Sequence, residues 1–300
     1  MSAPPTGAVR LRVRCPAKIN LGLWILGPRP DGYHDVDTVL QAVTLEDEIL
    51  LERGGRGFRL EVRGLPIPGP GPNILERAWA LLAERLPRGA PGVTVTLTKR
   101  IPAGGGLGGG SSDAAGFLAG ASALLGLPGD PDALSELAAR LGADVPFFLR
   151  GGTARGVGRG DQVRQLSPIP QCWIVLATPS VAVSTTWAYG EVRKRLTLPI
   201  GDASILAAAI GRGDWSAIVS SLHNDFEDVV LPQVSAVGDL RRALAAGARG
   251  SLLSGSGSTV FALCEARDRA LVLVEKGRRL GARVHVTRPC ERGVTVTPIG

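Results

Sequence analysis

The chain has 300 residues, of which 44% are hydrophobic and 20% are charged, and 34 Lys and Arg against 27 Asp and Glu give a net charge of +7. The composition is typical of a soluble globular enzyme, and the length is sufficient for two domains of ordinary size. The positive charges are dispersed and no basic-aromatic run accompanies them, so they do not single out a nucleic acid partner, and an anionic small substrate accounts for them equally well.

Targeting and metal-binding signals do not stand out along the chain. No apolar run approaches the roughly 20 residues that a membrane span needs, and the first eight residues, MSAPPTGA, lack the basic and apolar regions of a signal peptide. We therefore expect a frayed tail and a cytoplasmic protein. Cys15, Cys172, Cys264 and Cys290 lie far apart without Cys or His at metal-ligand spacing, so we expect four buried free thiols and no metal site.

The first half of the chain shows both strand and helix patterns. Strands are predicted at residues 9–13, 15–26, 38–51, 58–62 and 93–98, with the turn-rich loop GPRPDGYHD after the second. Helices are predicted at residues 73–86, 114–125 and 131–141. The third begins with Asp130 as its cap and Pro131 in its first turn, and Gly142 ends it.

The second half is organised similarly. A strand pair is predicted at residues 153–166, strands at 172–178, 251–253, 259–264, 283–287 and 293–298, and helices at 186–196, 203–211, 215–221, 234–246 and 267–280. The SPIP segment at 167–170 marks a break, which predicts domains at residues 1–168 and 169–300. Helices and strands do not alternate strictly, so two α+β domains are expected.

The segment PAGGGLGGGSSDAA at residues 102–115 is the strongest chemical signal in the chain. Glycines allow backbone N–H groups to approach a polyanion, and a helix N-terminus adds unpaired N–H groups and a positive dipole end. Ser111 or Ser112 is expected to cap the helix. A glycine-rich surface linker is the alternative. The residues predicted to bind phosphate are Pro102, Ala103, Gly104, Gly105, Gly106, Leu107, Gly108, Gly109, Gly110, Ser111 and Ser112.

Two other glycine-rich nucleotide motifs fit this segment poorly. Gly104, Gly106 and Gly109 satisfy G-x-G-x-x-G, but KRIPA separates them from the preceding strand and no second strand ending in an acid follows about 20 residues later. No lysine followed by Ser or Thr comes after the glycines, so the P-loop pattern is absent as well.

Three segments taken in order resemble the GHMP small-molecule kinases: PAKINLGLWI at 16–25, PAGGGLGGGSSDAA at 102–115 and LLSGSGSTVFA at 252–262. Within that superfamily, DGYH at 31–34, GADVPFF at 142–148 and GSGST at 255–259 resemble the ATP-dependent kinases of 4-diphosphocytidyl-2-C-methyl-D-erythritol in the non-mevalonate isoprenoid pathway. The resemblance implies a ribosomal-protein-S5-like N-terminal domain, a ferredoxin-like C-terminal domain and an active site between them.

The resemblance implies that Lys18 and Asp144 form the catalytic pair. Asp144 would take the proton of the attacking hydroxyl, and Lys18 would orient the aspartate and the hydroxyl or stabilise developing charge, as phosphoryl transfer requires. Asn20 lies two residues from Lys18 on the same strand face and is expected to hydrogen-bond the substrate. Without the resemblance, Lys18 reads equally as a surface lysine and Asp144 as a loop acid.

By the same resemblance, the nucleobase of the acceptor is held by residues of two short motifs. Tyr33 would stack on the cytosine, His34 would hydrogen-bond its edge, and Tyr189, in the STTWAY segment that also contains Thr185, would close the other face. A capped loop with a partly buried tyrosine is the alternative for residues 31–34.

The nucleotide site is expected to include Asn73 and Lys99, which flank the presumed adenine pocket, and to take ATP with its Mg²⁺ carried by the nucleotide. Lys99 could equally be a solvated strand end. Residues 255–258 offer a second small nest for the acceptor's diphosphate or a support for the first loop, with a tight turn as the alternative. Arg159, in GRGD, stands where a shorter polar turn is more usual in the family.

Two other functions remain to be separated by experiment. A GHMP kinase for homoserine or mevalonate is the nearest, although those substrates have no base for the two tyrosines to stack on. An RNA-binding protein is the other, since the S5-like fold and positive charge permit it, while the few aromatic residues and the intact glycine loop argue against it. We expect small-molecule substrates, no nucleic acid or membrane partner, and a monomer or weak homodimer.

Overall fold

The computed structural model describes residues 10–67, 69, 71–87, 90–195 and 201–299. The predicted frayed tail and the end of the helix predicted at 186–196 lie outside these residues. None of the helices in the described ranges is both long enough and apolar enough to cross a membrane.

The first part of the chain contains most of one sheet and the helices that cover it. Its strands are β1 (Arg10–Pro28), β2 (His34–Arg53), β3 (Phe58–Gly64), β4 (Val93–Lys99), β5 (Thr153–Gly158) and β6 (Gln162–Gln165). Its helices are α1 (Ile74–Ala83), α2 (Gly109–Leu125), α3 (Pro131–Leu141) and α4 (Val145–Arg150).

The second part contains the smaller sheet, two strands of the larger sheet and the remaining helices of the described residues. Its strands are β7 (Trp173–Thr178), β8 (His223–Asn224), β9 (Gly250–Leu253), β10 (Val260–Cys264), β11 (Arg283–Thr287) and β12 (Thr295–Pro298). Its helices are α5 (Thr185–Arg195), α6 (Ser204–Arg212), α7 (Trp215–Ser220), α8 (Glu227–Gln233), α9 (Ser235–Ala245) and α10 (Arg267–Arg279).

The described strands form an eight-stranded and a four-stranded sheet, which confirms the α+β class. The larger sheet has the order β12-β1-β2-β4-β3, with β5 beside β2, β6 beside β5 and β8 beside β1, and the smaller has the order β11-β7-β10-β9. The chain changes sheet between β6 and β7, where the domain boundary is predicted. β12 comes after the predicted boundary but pairs with β1 in the larger sheet, which the predicted division did not anticipate.

Two local differences from the predicted elements have simple causes. Residues 10–28 form one strand instead of two, because β1 passes Pro16 with a register shift between Pro16 and Ala17, as a proline in a strand usually requires. Helix α8 was not predicted, since it is short and contains Pro232, which breaks the helical pattern that a longer segment would show.

Helix α2 is the central helix of the first part and packs closely on the larger sheet. Most of its residues are buried, and a Cβ at Gly116 or Gly120 would collide with the Cys15 sulfur or the Leu51 side chain respectively. The glycines therefore bring the helix against β1 and β2 and fix where its N-terminus lies. Cys15, Cys172 and Cys264 are buried free thiols as expected, whereas Cys290 is only half-buried.

An apolar layer joins the two sheets. Ile19 and Leu21 of β1 belong to the same buried cluster as Ile174 and Leu176 of β7 and Phe261 of β10. Because a large apolar interface opposes relative motion of two parts of a chain, the loops at its edge are held in a defined relation.

Candidate active site

The glycine-rich loop leads directly into helix α2. The helix is capped by Gly108, which has a φ of 69° that glycine adopts without strain, and no side chain caps it. The predicted cap at Ser111 or Ser112 is therefore wrong: the helix begins at Gly109, and both serines lie in its first turn. The N–H of Ser112 donates to the carbonyl of Gly108, so the amides of Gly109 to Ser111 precede the first intrahelical bond.

The carbonyl groups of the loop are held by protein donors. The Gly105 carbonyl accepts from the Thr259 amide at 3.1 Å, the Gly106 carbonyl from the Ser254 hydroxyl at 2.9 Å, and the Leu107 carbonyl from the Lys18 amide at 2.9 Å. These three carbonyls are therefore bonded within the protein, which leaves the N–H groups of the loop as the groups suited to an anion. Such an arrangement, at the N-terminus of a long helix, suits a polyanion.

A second loop, residues 254–259, packs against the glycine-rich loop. A Cβ at Gly106, whose φ is 75°, would collide with the carbonyl oxygen of Ser254, so the two loops pack main chain against main chain. The buried amide of Asn224 donates to the carbonyls of Leu253 and Gly255, at 2.8 and 2.9 Å. Asn224 was not singled out from the sequence, although it is one of only three asparagines in the chain.

Lys18 and Asp144 lie together beside these loops. The ammonium of Lys18 is buried, donates to Asn20 Oδ1 at 2.6 Å and lies 3.7 Å from Asp144 Oδ2. Asn20 in turn donates to the Thr38 hydroxyl at 2.9 Å, so Thr38, which sequence reasoning missed, fixes the amide's orientation. Asp144 stands at the N-cap of α4 but makes no capping bond, and its side chain is 37% exposed.

Residues of α5 lie near this pair and near the second loop. The hydroxyls of Thr185 and Ser256 are 3.0 Å apart, which connects α5 to the second loop. Burial, with the charge of Asp144 adding to it, raises the pKa of Tyr189 to about 12, so its phenol stays neutral.

The aromatic residues are arranged differently from the predicted base sandwich. The His34 ring stacks on Tyr189, with centroids 4.7 Å apart and planes 21° apart, so this face of Tyr189 is occupied. Burial and then the charge of Arg193 lower the pKa of His34, and its Nε2 is buried without a hydrogen-bond partner. Tyr33 is 54% exposed, with the Arg159 guanidinium 5.1 Å from its ring centroid.

Lys99 and Asn73 are placed by contacts of their own. The Lys99 side chain is not a solvated strand end, because its ammonium is buried between Asp47 and Asp113. Its carbonyl accepts from the Leu65 amide. Asn73 caps α1: its side chain accepts from the Leu75 amide at 3.0 Å, and the Glu76 side chain accepts from the Asn73 amide.

Asp113 should make the free energy of unfolding depend on pH. Burial raises the pKa of Asp113 to about 8, with the charge of Lys99 opposing the rise and that of Asp47 adding to it. The unfolded chain releases this proton near pH 4, so between about pH 4 and pH 8 only the folded state keeps it, and stability falls as the pH rises through that range. Denaturant unfolding at several pH values should show a shallower decline for Asp113→Asn, and parallel curves would contradict this.

Comparisons with known proteins identify the family of the chain. The family described as "GHMP kinases N terminal domain" matches residues 73–152, and "GHMP kinases C terminal" matches residues 206–282. The 4-diphosphocytidyl-2-C-methyl-D-erythritol kinase of Moorella thermoacetica is 41% identical over 280 residues, which cover 91% of this chain and 94% of that protein.

Solved structures extend the comparison. A 4-(cytidine 5'-diphospho)-2C-methyl-D-erythritol kinase superposes with a TM-score of 0.77 at 34% identity, covering 93% of this chain and 99% of that chain. A homoserine kinase from Cytophaga hutchinsonii has a TM-score of 0.74 at 20% identity, covering 98% of this chain and 99% of that chain, and shows the shared fold alone.

The matches to both GHMP kinase domains, the first of which spans the glycine-rich loop, define a GHMP kinase. Within that superfamily, the chain belongs to the family of 4-diphosphocytidyl-2-C-methyl-D-erythritol kinases.

Proposed function

We propose that this enzyme transfers the γ-phosphoryl group of ATP to the 2-hydroxyl of 4-diphosphocytidyl-2-C-methyl-D-erythritol, in the supply of isoprenoid precursors. The observation that carries the proposal is the buried Lys18, 3.7 Å from the partly exposed carboxylate of Asp144, next to the glycine-rich loop, whose carbonyls at residues 105–107 accept hydrogen bonds from the protein. The family to which the chain belongs supports the choice of acceptor.

In the proposed mechanism, the glycine loop and the N-terminus of α2 bind the triphosphate. Asp144 accepts the proton of the 2-hydroxyl as its oxygen attacks the γ-phosphorus, and the bond to the β-phosphate oxygen breaks to release ADP. Lys18, held by Asn20, stabilises the negative charge that develops on the transferring group. Asn20 thus acts mainly by orienting Lys18, in addition to its predicted contact with the substrate.

The nucleotide's Mg²⁺ supplies charge neutralisation on the phosphates. No group of three or more His, Cys, Asp or Glu residues in the described part of the chain could hold a metal by itself. A Mg²⁺ that arrives on a triphosphate needs only one or two protein oxygens. The Ser112 hydroxyl, buried in the first turn of α2 without a hydrogen-bond partner, fits that role.

Recognition of the acceptor is proposed to depend on its cytosine. The exposed Tyr33 ring can stack on the base, and the unpartnered Nε2 of His34 can hydrogen-bond its edge. Tyr189 stacks on the His34 ring, so it is proposed to support His34 and not to stack on the base. Thr185, whose hydroxyl lies 3.0 Å from that of Ser256 in the second loop, is proposed to bind the diphosphate of the acceptor.

Tyr33→Ala should weaken acceptor capture without slowing the chemical step. Losing one base stack of about 1 to 3 kcal/mol should raise KM for the acceptor about 5- to 150-fold. Steady-state kinetics should show kcat within about threefold of wild type, because Tyr33 does not touch the reacting atoms. Tyr33→Phe keeps the ring and should behave like wild type, and an unchanged KM in Tyr33→Ala would remove Tyr33 from the site.

The assay of the reaction itself offers ATP with each of three acceptors in turn. We expect ADP release with 4-diphosphocytidyl-2-C-methyl-D-erythritol and none with homoserine or mevalonate. Turnover with either of the other two alcohols alone would replace the proposed acceptor. RNA binding in a filter assay with a steep salt dependence and no ADP release would replace the kinase reaction altogether.

We further propose that the reaction takes place in a cleft between residues 1–168 and 169–300. The protein is proposed to be a cytoplasmic monomer or weak homodimer that has no nucleic acid partner. Pairing of the arginines supports the last point: Arg10, Arg12 and Arg14 of β1 each pair with a glutamate of β2. Gel filtration across a range of protein concentrations tests the oligomeric state.

A further inference from the structure

The proposed function leaves one buried group of charges without a role. Asp47 of β2, Lys99 at the end of β4 and Asp113 of α2 are nearly inaccessible to solvent and lie in contact. The Lys99 ammonium donates to Asp113 Oδ2 at 2.6 Å and to Asp47 Oδ2. Although burial disfavours its charge, the two carboxylates raise the pKa of Lys99, so it remains an ammonium ion.

The position of this group in the chain is informative. Lys99 is the last residue of the strand before the glycine loop, and Asp113 lies in the helix that follows it. Asp47 adds a second attachment, because its Oδ1 accepts from the backbone amides of Arg100 and Ile101. The two ends of the loop are therefore joined through side chains from three different elements.

The group also lies against Gly109, the first residue of α2. A Cβ at Gly109 would be 3.2 Å from the Lys99 ammonium and 2.9 Å from Ile101, so the absence of a side chain lets the helix start rest on this group. A displacement of Lys99 or Asp113 would move the amides that precede the first intrahelical bond.

We propose that Asp47, Lys99 and Asp113 form a clasp that closes the base of the phosphate-binding loop and acts as a set of positioning residues for ATP. A buried ion pair adds little net stability, but the removal of one partner leaves the other charge uncompensated, and in some proteins such groups serve to define geometry. Amides can stabilise a transferring phosphoryl group only when they are oriented before it arrives. The clasp supplies that orientation from behind the loop, where it does not touch the nucleotide.

The clasp rests on the proposed function, because it assumes that this loop binds the triphosphate. Its first test is carried out without nucleotide, so that it can fail independently of the proposed function. In hydrogen exchange of the full chain, amides at residues 103–112 should exchange faster in Lys99→Met and Asp113→Leu than in wild type. Equal exchange in folded wild type and both variants would overturn the clasp, even if the wild type proved to have another activity.

Kinetics provide the second test. Lys99→Met and Asp113→Leu should raise KM for ATP about 10- to 100-fold, as expected for misplaced binding groups, and leave KM for the acceptor unchanged. Asp113→Asn keeps the shape and a hydrogen-bonding oxygen, so it should recover most of the affinity for ATP. An unchanged KM for ATP in Asp113→Leu would overturn the clasp. An unchanged KM for ATP in a folded Lys99→Met would overturn it as well.

A matched control separates positioning from loss of stability. Leu118→Ala, in the buried middle of α2, should lower the melting temperature without changing KM for ATP or exchange at 103–112. If Leu118→Ala raised KM for ATP as much as Asp113→Leu at equal loss of stability, the effect would be general to α2 and the clasp would be rejected. Absence of ADP release by the wild type would refute the proposed function separately.

Discussion

Asp144→Asn is expected to lower kcat about 100- to 10,000-fold, the range that a positioned general base contributes. The amide of asparagine has nearly the same shape but cannot take the proton of the attacking hydroxyl. Binding of ATP should be unchanged, because the proposed triphosphate contacts come from main-chain amides on another element. Single-turnover kinetics together with a nucleotide titration separate the two effects.

The structure provides a matched control for this change. Asp130 is also at a helix N-cap, where its Oδ1 accepts from the amides of Asp132 and Ala133, but it lies away from Lys18. Because asparagine caps a helix as well as aspartate does, Asp130→Asn should retain both stability and kcat. If Asp144→Asn kept full activity, the proposed base would be wrong.

Lys18→Met is expected to lower kcat about 100- to 1000-fold, the loss measured when one fixed electrostatic partner of a transition state is removed. Methionine fills similar space but leaves Asn20 Oδ1 without its donor and the developing charge without a cation. Lys18→Arg should not restore the rate, since the Lys18 side chain is buried close to Gly108 and a guanidinium is larger and planar.

Lys276→Met, on α10, is the corresponding control and should leave kcat unchanged. Pre-steady-state phosphoryl transfer is the measurement, because it excludes product release from the comparison. A Lys18→Met enzyme with the wild-type rate of transfer would show that Lys18 only supports the local structure.

The main elements of the fold could be predicted from the sequence because their patterns are local. Alternation over residues 93–98 predicts a strand, Asp130 and Pro131 predict a helix start, and the glycines after Lys99 predict a loop that binds an anion. The contact between the glycine loop and the second loop could only be suggested, because it joins residues almost 150 positions apart.

Contacts between distant residues account for most of what the sequence did not reveal. The burial of the Lys99 ammonium was not predicted, since nothing local indicates that Asp47, 52 residues earlier, accepts from it. Ser111 and Ser112 were expected to cap α2, but the left-handed conformation of Gly108 starts the helix earlier than side-chain preferences suggest. The stacking of His34 on Tyr189 likewise depends on how α5 approaches β2.

The most direct test of the central claim is a crystal structure with a non-hydrolysable ATP analogue and the acceptor. We expect phosphate oxygens within hydrogen-bonding distance of the amides in residues 104–111, and the acceptor's 2-hydroxyl within reach of both Asp144 and the γ-phosphate. An empty glycine loop, with the phosphates bound elsewhere on the protein, would contradict the proposed mechanism.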